Sequence, residues 1–152
     1  MIEKIDKHKY LYLTAIGEPH DNMLRLVIEE ACLGGPPEST FINGLDLGKT
    51  SAIVSDARCF AYEILFERYV AYSIRDESYT QRDDEEIHTG RLACVYSKSK
   101  FLDYVKASTF ASDDYPGPIT HYGFNCLNHI VDIAALEEPI IKVIRTPNIG
   151  IE

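Results

Sequence analysis

The sequence predicts a β-rich α+β fold: an antiparallel sheet, arranged as a sandwich or partial barrel, with one main helix at about 97–108. Three observations carry that expectation. Phe60, Tyr62, Ile64 and Phe66 alternate with Ala61, Glu63, Leu65 and Glu67, and Val70, Tyr72 and Ile74 continue the alternation. Period two puts one set of side chains on a core face and the other outward. The aromatic residues are ten Tyr and six Phe with no Trp, types that pack well on a pleated surface. A single segment, Ser97 to Ser108, combines hydroxyl residues at its start with an apolar stripe at Phe101, Leu102 and Val105. With 152 residues and no internal repeat or linker, the chain reads as a single domain, 1–152, able to bury its own core.

Tyr10 to Gly17 is the first strand, and Glu18-Pro19-His20-Asp21-Asn22 is a turn. Met23 to Leu33 is read as a strand pairing back on it, although helix formers within it leave that alternative open. Gly34-Gly35-Pro36-Pro37 ends the strand, and the stretch to about Thr50 is a long loop with one short strand around Phe41. Loops of that length often carry function. Arg58 to Ile74 is either two antiparallel strands joined near Arg68 or one long bent strand, because no Asn-Gly marks a turn. Arg91 to Tyr96 is another strand, and Ser97 or Ser99 caps the helix that follows. Asp113-Asp114-Tyr115-Pro116-Gly117-Pro118 breaks the pattern. Thr120 to Leu136 returns to strand character, interrupted at Asn128, and its nearly all-apolar end suits a central strand buried on both faces. Asp132 is out of place there. Glu137-Glu138-Pro139 turns the chain, and Ile140 to Ile144 pairs back as the last strand.

Charge is the main functional signal. There are 24 acidic against 15 basic residues, a formal net charge of −9. Asp76, Glu77, Asp83, Asp84, Glu85 and Glu86 form the densest acidic run, relieved only by Arg82. It falls between strand-like stretches and so is expected on a displayed loop. Such a field attracts a basic partner and repels nucleic acid and anionic lipid. Lys98, Lys100 and Lys106 are interleaved with Asp103, a solvated helix face rather than a nucleic-acid footprint. No apolar run approaches the roughly 20 residues that span a bilayer, so no membrane partner is expected. MIEKIDKHKY lacks an apolar signal core, which predicts a cytoplasmic protein. Cys32, Cys59, Cys94 and Cys126 contain no CxxC spacing and are expected as free thiols in a reducing compartment.

Catalytic motifs are missing: the chain has no GxSxG, HExxH, Walker loop or GxGxxG. His121, His129 and Asp132 are the one close group of metal-ligating or acid–base types. Placed on one strand, 121 and 129 share a face and 132 takes the other, so the three do not converge unless a bulge intervenes near Asn128. The plainer reading has local hydrogen bonds at the histidines and backbone N–H groups at Asp132. A base at Asp76 or Glu77 beside Tyr79 lacks a nucleophile. No catalytic residue, metal or cofactor is therefore assigned. The residues expected to meet a partner are Asp76, Glu77, Tyr79, Asp83, Asp84, Glu85, Glu86 and Tyr115.

FERYVAYSIRDESY (66–79), YSKSKFLDYV (96–105) and HYGFNCLNHIVDIAALEEPII (121–141) resemble, in general character, the small acidic immunity-type proteins that bacteria encode beside polymorphic toxins. The resemblance implies a cytoplasmic inhibitor bound stoichiometrically to a basic toxin domain. It assigns no residue roles. The alternative is a small-molecule-binding protein or enzyme with a pocket near His121, His129 and Asp132. A homodimer built on strand edges is a third, plainer option.

Overall fold

The computed structural model describes residues 1–148. In chain order the elements are α1 (Ile2–Asp6), β1 (Tyr10–Gly17), β2 (Leu24–Leu33), β3 (Glu38–Ile42), β4 (Leu45–Thr50), β5 (Ile53–Val54), β6 (Ala61–Phe66), β7 (Tyr69–Asp76), β8 (Ile87–Thr89), β9 (Ala93–Lys98), α2 (Lys100–Ser108), β10 (Thr120–Asn125), β11 (His129–Ala135) and β12 (Ile140–Arg145). The first sheet runs β1-β2-β6-β12, with β5 added to β2; the second runs β7-β11-β10-β9-β8. All named pairings are antiparallel, and the sheets are not closed into a barrel.

The core lies between the sheets. Leu11, Leu24, Leu26, Ile28, Tyr62, Ile64 and Phe66 come from the first, and Tyr122, Phe124, Val131 and Ile133 from the second. Phe66 and Tyr122 meet across the gap with ring centroids 5.4 Å apart. Alternation explains the arrangement, since each strand offers every second residue to this layer. β11 is the exception: Ile130 to Ala135 are all buried. It is central in its sheet, with the core on one face and α2 over the other.

Two local devices brace the sheets, one between them and one from α1. The side-chain amide of Asn128 donates to the Leu13 carbonyl (2.9 Å) and accepts the Leu13 N–H (3.1 Å), while the Leu127 N–H donates to the Leu11 carbonyl (2.8 Å). The β10–β11 turn thereby fastens to β1. At the other end of the chain, Asp6 accepts the N–H groups of Arg91, Leu92 and Ala93 through Oδ1, at 2.6–3.0 Å. One carboxylate thus satisfies three donors at the start of β9.

Several sequence expectations need correction. The β6–β7 segment is neither a hairpin nor one bent strand: the chain changes sheets at Glu67-Arg68, so β6 pairs with β2 and β12 while β7 pairs with β11. Alternation is a property of each strand and carries no information about which sheet receives it. The 34–50 stretch is not a loop with one short strand but the hairpin β3–β4, turning at Asn43-Gly44 with φ of 51° and 79°. Both central residues in the left-handed region give the turn whose twist matches a hairpin. The last strand does not pair back on β11 but joins β6 in the opposite sheet. The 97–108 helix is present as Lys100–Ser108, with Ser99 rather than Ser97 as its cap, accepting the Leu102 N–H at 3.0 Å. The four cysteines are free thiols, and among the described residues no helix is long and apolar enough to cross a membrane.

Candidate binding site on the outer face of the second sheet

The outward residues of the second sheet are Ser73 and Arg75 from β7, Ile130 and Asp132 from β11, His121 and Gly123 from β10, and Cys94 and Tyr96 from β9. Register sets them side by side: Ser73 faces Asp132, Asp132 faces Gly123, and His121 faces Tyr96. α2 and the 76–88 loop cover this face incompletely, leaving a cleft of about 660 Å³. Arg75, Lys100, Phe101, Tyr104 and Asp132 line it, with Asp83, Asp84 and Glu86 at the loop side.

A buried polar chain underlies the cleft. His121 Nε2 donates to Asp132 Oδ1 at 2.8 Å, because a carboxylate can only accept. His121 Nδ1 is then the acceptor for the Ser99 hydroxyl at 2.7 Å, and the same hydroxyl oxygen accepts the Leu102 N–H. Arg75 donates to the other Asp132 oxygen at 3.1 Å. Tyr96 stacks on the imidazole at 4.1 Å, and Phe101 packs against it at 4.9 Å. Gly123 makes that stacking fit: a Cβ there would stand 2.7 Å from the Tyr96 ring.

Two sequence expectations fall here. His121 and Asp132 do converge, because they lie on adjacent strands rather than on one; the turn at Cys126-Leu127-Asn128 reverses the chain between them. Asp132 is bonded to side chains, not to loop N–H groups. His129 joins neither the chain nor the cleft. It pairs with Asp76 in register, and its Nδ1 is shielded with no partner among the described residues. Ser99, His121 and Asp132 follow the order of a hydrolytic relay, but Ser99 is 2% exposed and His121 1%. The Ser99 oxygen is also committed to the helix. The chain therefore works as a cross-link from α2 through β10 and β11 to β7.

The acidic residues divide into two groups. Asp83 is half-buried; it accepts the Glu85 N–H at 3.0 Å and pairs with Lys100 at 3.0 Å. Its carboxyl is held below the ordinary range by that N–H first and by Lys100 next. Asp84 pairs with Arg82 in open solvent at 2.9 Å, an arrangement worth little. Asp76 caps the single 3-10 turn Glu77–Tyr79 through the Ser78 N–H. Glu77, Glu85 and Glu86 make no ion pair among the described residues. Tyr79, in the same 3-10 turn as Glu77, is 87% exposed. Tyr115 is not part of this cluster: it lies with Phe110 and Pro116 around a separate depression near the end of α2.

Sequence reasoning missed Ser99 as a partner of His121, and Arg75, Lys100 and Phe101 as cleft walls. The signal available was Asp132 itself, a carboxylate in an otherwise apolar run that required a buried donor. Among known proteins, no protein-family model matches this chain, and no curated protein and no solved structure matches it either.

Proposed function

We propose that this chain is an acidic protein-binding module that docks a basic partner through its 76–86 loop, in the manner of an immunity-type inhibitor neutralising a toxin domain. The observation behind this reading is that Asp76, Glu77, Tyr79 and Glu85 are all exposed on the segment that links β7 to β8. Glu77 and Glu85 spend no charge on an internal partner among the described residues. A net charge of −9 attracts a positive face, the acidic segment orients it, and Tyr79 offers an amphipathic anchor once contact is made. The exposed Arg82–Asp84 pair is weak enough for an incoming guanidinium to displace. Lys100 tempers the field most at Asp83, its direct partner, and more weakly at Glu85 and Glu86.

An Arg-rich peptide is a direct probe. Titrated into isotope-labelled protein at low salt, it should shift the amide resonances of 76–86 and lose that effect at high salt, since exposed charges are screened. Reversing Asp83, Asp84, Glu85 and Glu86 to Lys should slow association and leave the fold intact. A narrower variant, Glu77→Lys with Glu85→Lys, leaves the Asp83 contacts in place and should weaken binding in the same direction. Resonance shifts confined to other surfaces, or binding unchanged in both variants, would reject the acidic loop as the docking site.

A second reading rests on the cleft. Asp132, 4% exposed, lies among its lining beside Arg75 and Lys100, with Phe101 and Tyr104 as walls. A few convergent polar groups between aromatic walls is the general pattern of small-ligand sites. Its test is a thermal-shift screen of small polar compounds in which any stabilisation disappears in Phe101→Ala.

A further inference from the structure

Away from the acidic loop, two thiols stand closer than ordinary non-bonded sulfur atoms. Cys32 near the end of β2 and Cys59 just before β6 have their Sγ atoms 3.0 Å apart. Cys59 is completely buried, whereas Cys32 is half-buried and is the member that solvent reaches. Cys94 and Cys126 are buried separately, with no second thiol at hydrogen-bonding distance. The residues between the pair contain the whole β3–β4 arm and β5, and every described residue of the arm except Thr40 is exposed.

We propose that Cys32 and Cys59 form a reversible disulfide by exchange with a small-molecule disulfide, closing the base of the β3–β4 arm onto the core. The Cys32 thiol loses its proton to solvent, and its thiolate attacks the external disulfide. A Cys32–external mixed disulfide forms, and one external thiolate leaves and is protonated. The Cys59 thiol then loses its proton and attacks the Cys32 sulfur, forming the Cys32–Cys59 bond and releasing the second external thiol. Two protein thiols are oxidised and one external disulfide is reduced. The exposed position of Cys32 and the enclosed position of Cys59 fix the order of the two attacks.

Asp56 completes a group of three metal-ligating types with the two thiols, but the geometry favours the disulfide. Two thiolates on a tetrahedral zinc ion, each at about 2.3 Å, would stand about 3.8 Å apart. The sulfurs here are already nearer than that, and the remaining approach to a bond of about 2.05 Å is short. Asp56 is also engaged, with Arg58 donating to both of its oxygens at 2.6–3.2 Å.

The test uses the whole chain. Reduced protein is incubated with oxidised glutathione, then mapped by mass spectrometry after alkylation and digestion. The expected product is lighter by about 2 Da, carries a Cys32–Cys59 cross-linked peptide, and has two of its four thiols still reactive once unfolded. Its melting temperature should rise by roughly 10 °C, because the bond closes a long loop in the unfolded chain. Dithiothreitol should reverse both changes. A stable glutathione adduct at Cys32, or a cross-link between other cysteines, would overturn the proposal. So would a zinc titration in which one bound ion protects both thiols from the same oxidant. The measurement on the native chain does not depend on a variant, and Cys32→Ser adds a control that should abolish the cross-link.

Discussion

Asp132 sits on a strand buried on both faces, and its charge is tolerable there only because His121 and Arg75 each hold one of its oxygens. Removing it leaves a histidine N–H buried without an acceptor. Asp132→Ala should therefore cost about 3 kcal/mol, read from the urea midpoint at unchanged slope. Arg75 is half-exposed and can be replaced by water, so Arg75→Ala should cost under about 1 kcal/mol. Equal losses in the two variants would refute this division. Asp6 makes a second prediction. Burial opposes its ionisation, but the backbone N–H groups of Ala93, Arg91 and Leu92 outweigh it and hold the carboxyl below its ordinary value of 3.8. A depressed folded-state pKa means that the stabilisation is complete above the unfolded value and is lost as pH falls through the folded one. The stability gap between wild type and Asp6→Ala should be constant at pH 6–8 and shrink below about pH 4. A gap that widens on acidification would contradict the assignment.

At the scale of elements, the contrast is between β11 and the β3–β4 arm. β11 has its remaining apolar neighbours supplied by two sheets and a helix, whereas Phe41, Ile42, Leu45 and Leu47 on the arm are each about half exposed or more. Little of the core depends on the arm. Replacing 38–50 by a short Gly-Ser link should leave the melting temperature of the reduced protein within a few degrees of wild type, with core resonances unmoved. A large loss of stability would show that the arm packs more firmly than its exposure indicates. α2 behaves oppositely, since Ser99 serves both its cap and His121. Ser99→Ala should cost about 2 kcal/mol by thermal or urea unfolding, more than a lone surface cap. These elements differ in how far the sequence announced them. The β1–β2 hairpin was legible because its turn residues lie between two apolar runs. The arm was obscured because Gly48 and Thr40 break its alternation, although Asn43-Gly44 named its turn. The cleft was illegible because its walls come from β7, β11 and α2, which are distant in the chain and joined only by pairing.

For the whole molecule, the decisive quantity is the imbalance of charge. Eight ion pairs are formed among the described residues, one of them by the N-terminus, yet acidic groups remain in excess. The folded state concentrates that excess, so self-repulsion opposes compaction. Raising salt from low to physiological strength should therefore raise the melting temperature by a few degrees while weakening attachment of an Arg-rich peptide. A fall in melting temperature would mean that the internal pairs outweigh the repulsion. Salt thus acts in opposite directions on folding and docking, which separates the two effects in one titration.

By itself the sequence determined the β-rich class, the positions of most strands, the helix with its serine cap, and the acidity of the 76–86 segment. These follow from periodicity, capping and composition, all of which act over a few neighbouring residues. Tertiary structure alone decided that β6 and β7 belong to different sheets, that β12 joins the first, and that Ser99, His121, Asp132 and Arg75 form one chain. It also decided that Cys32 and Cys59 touch. Those outcomes depend on which strands lie side by side, and strand pairing is settled by burial of the common core rather than by local pattern.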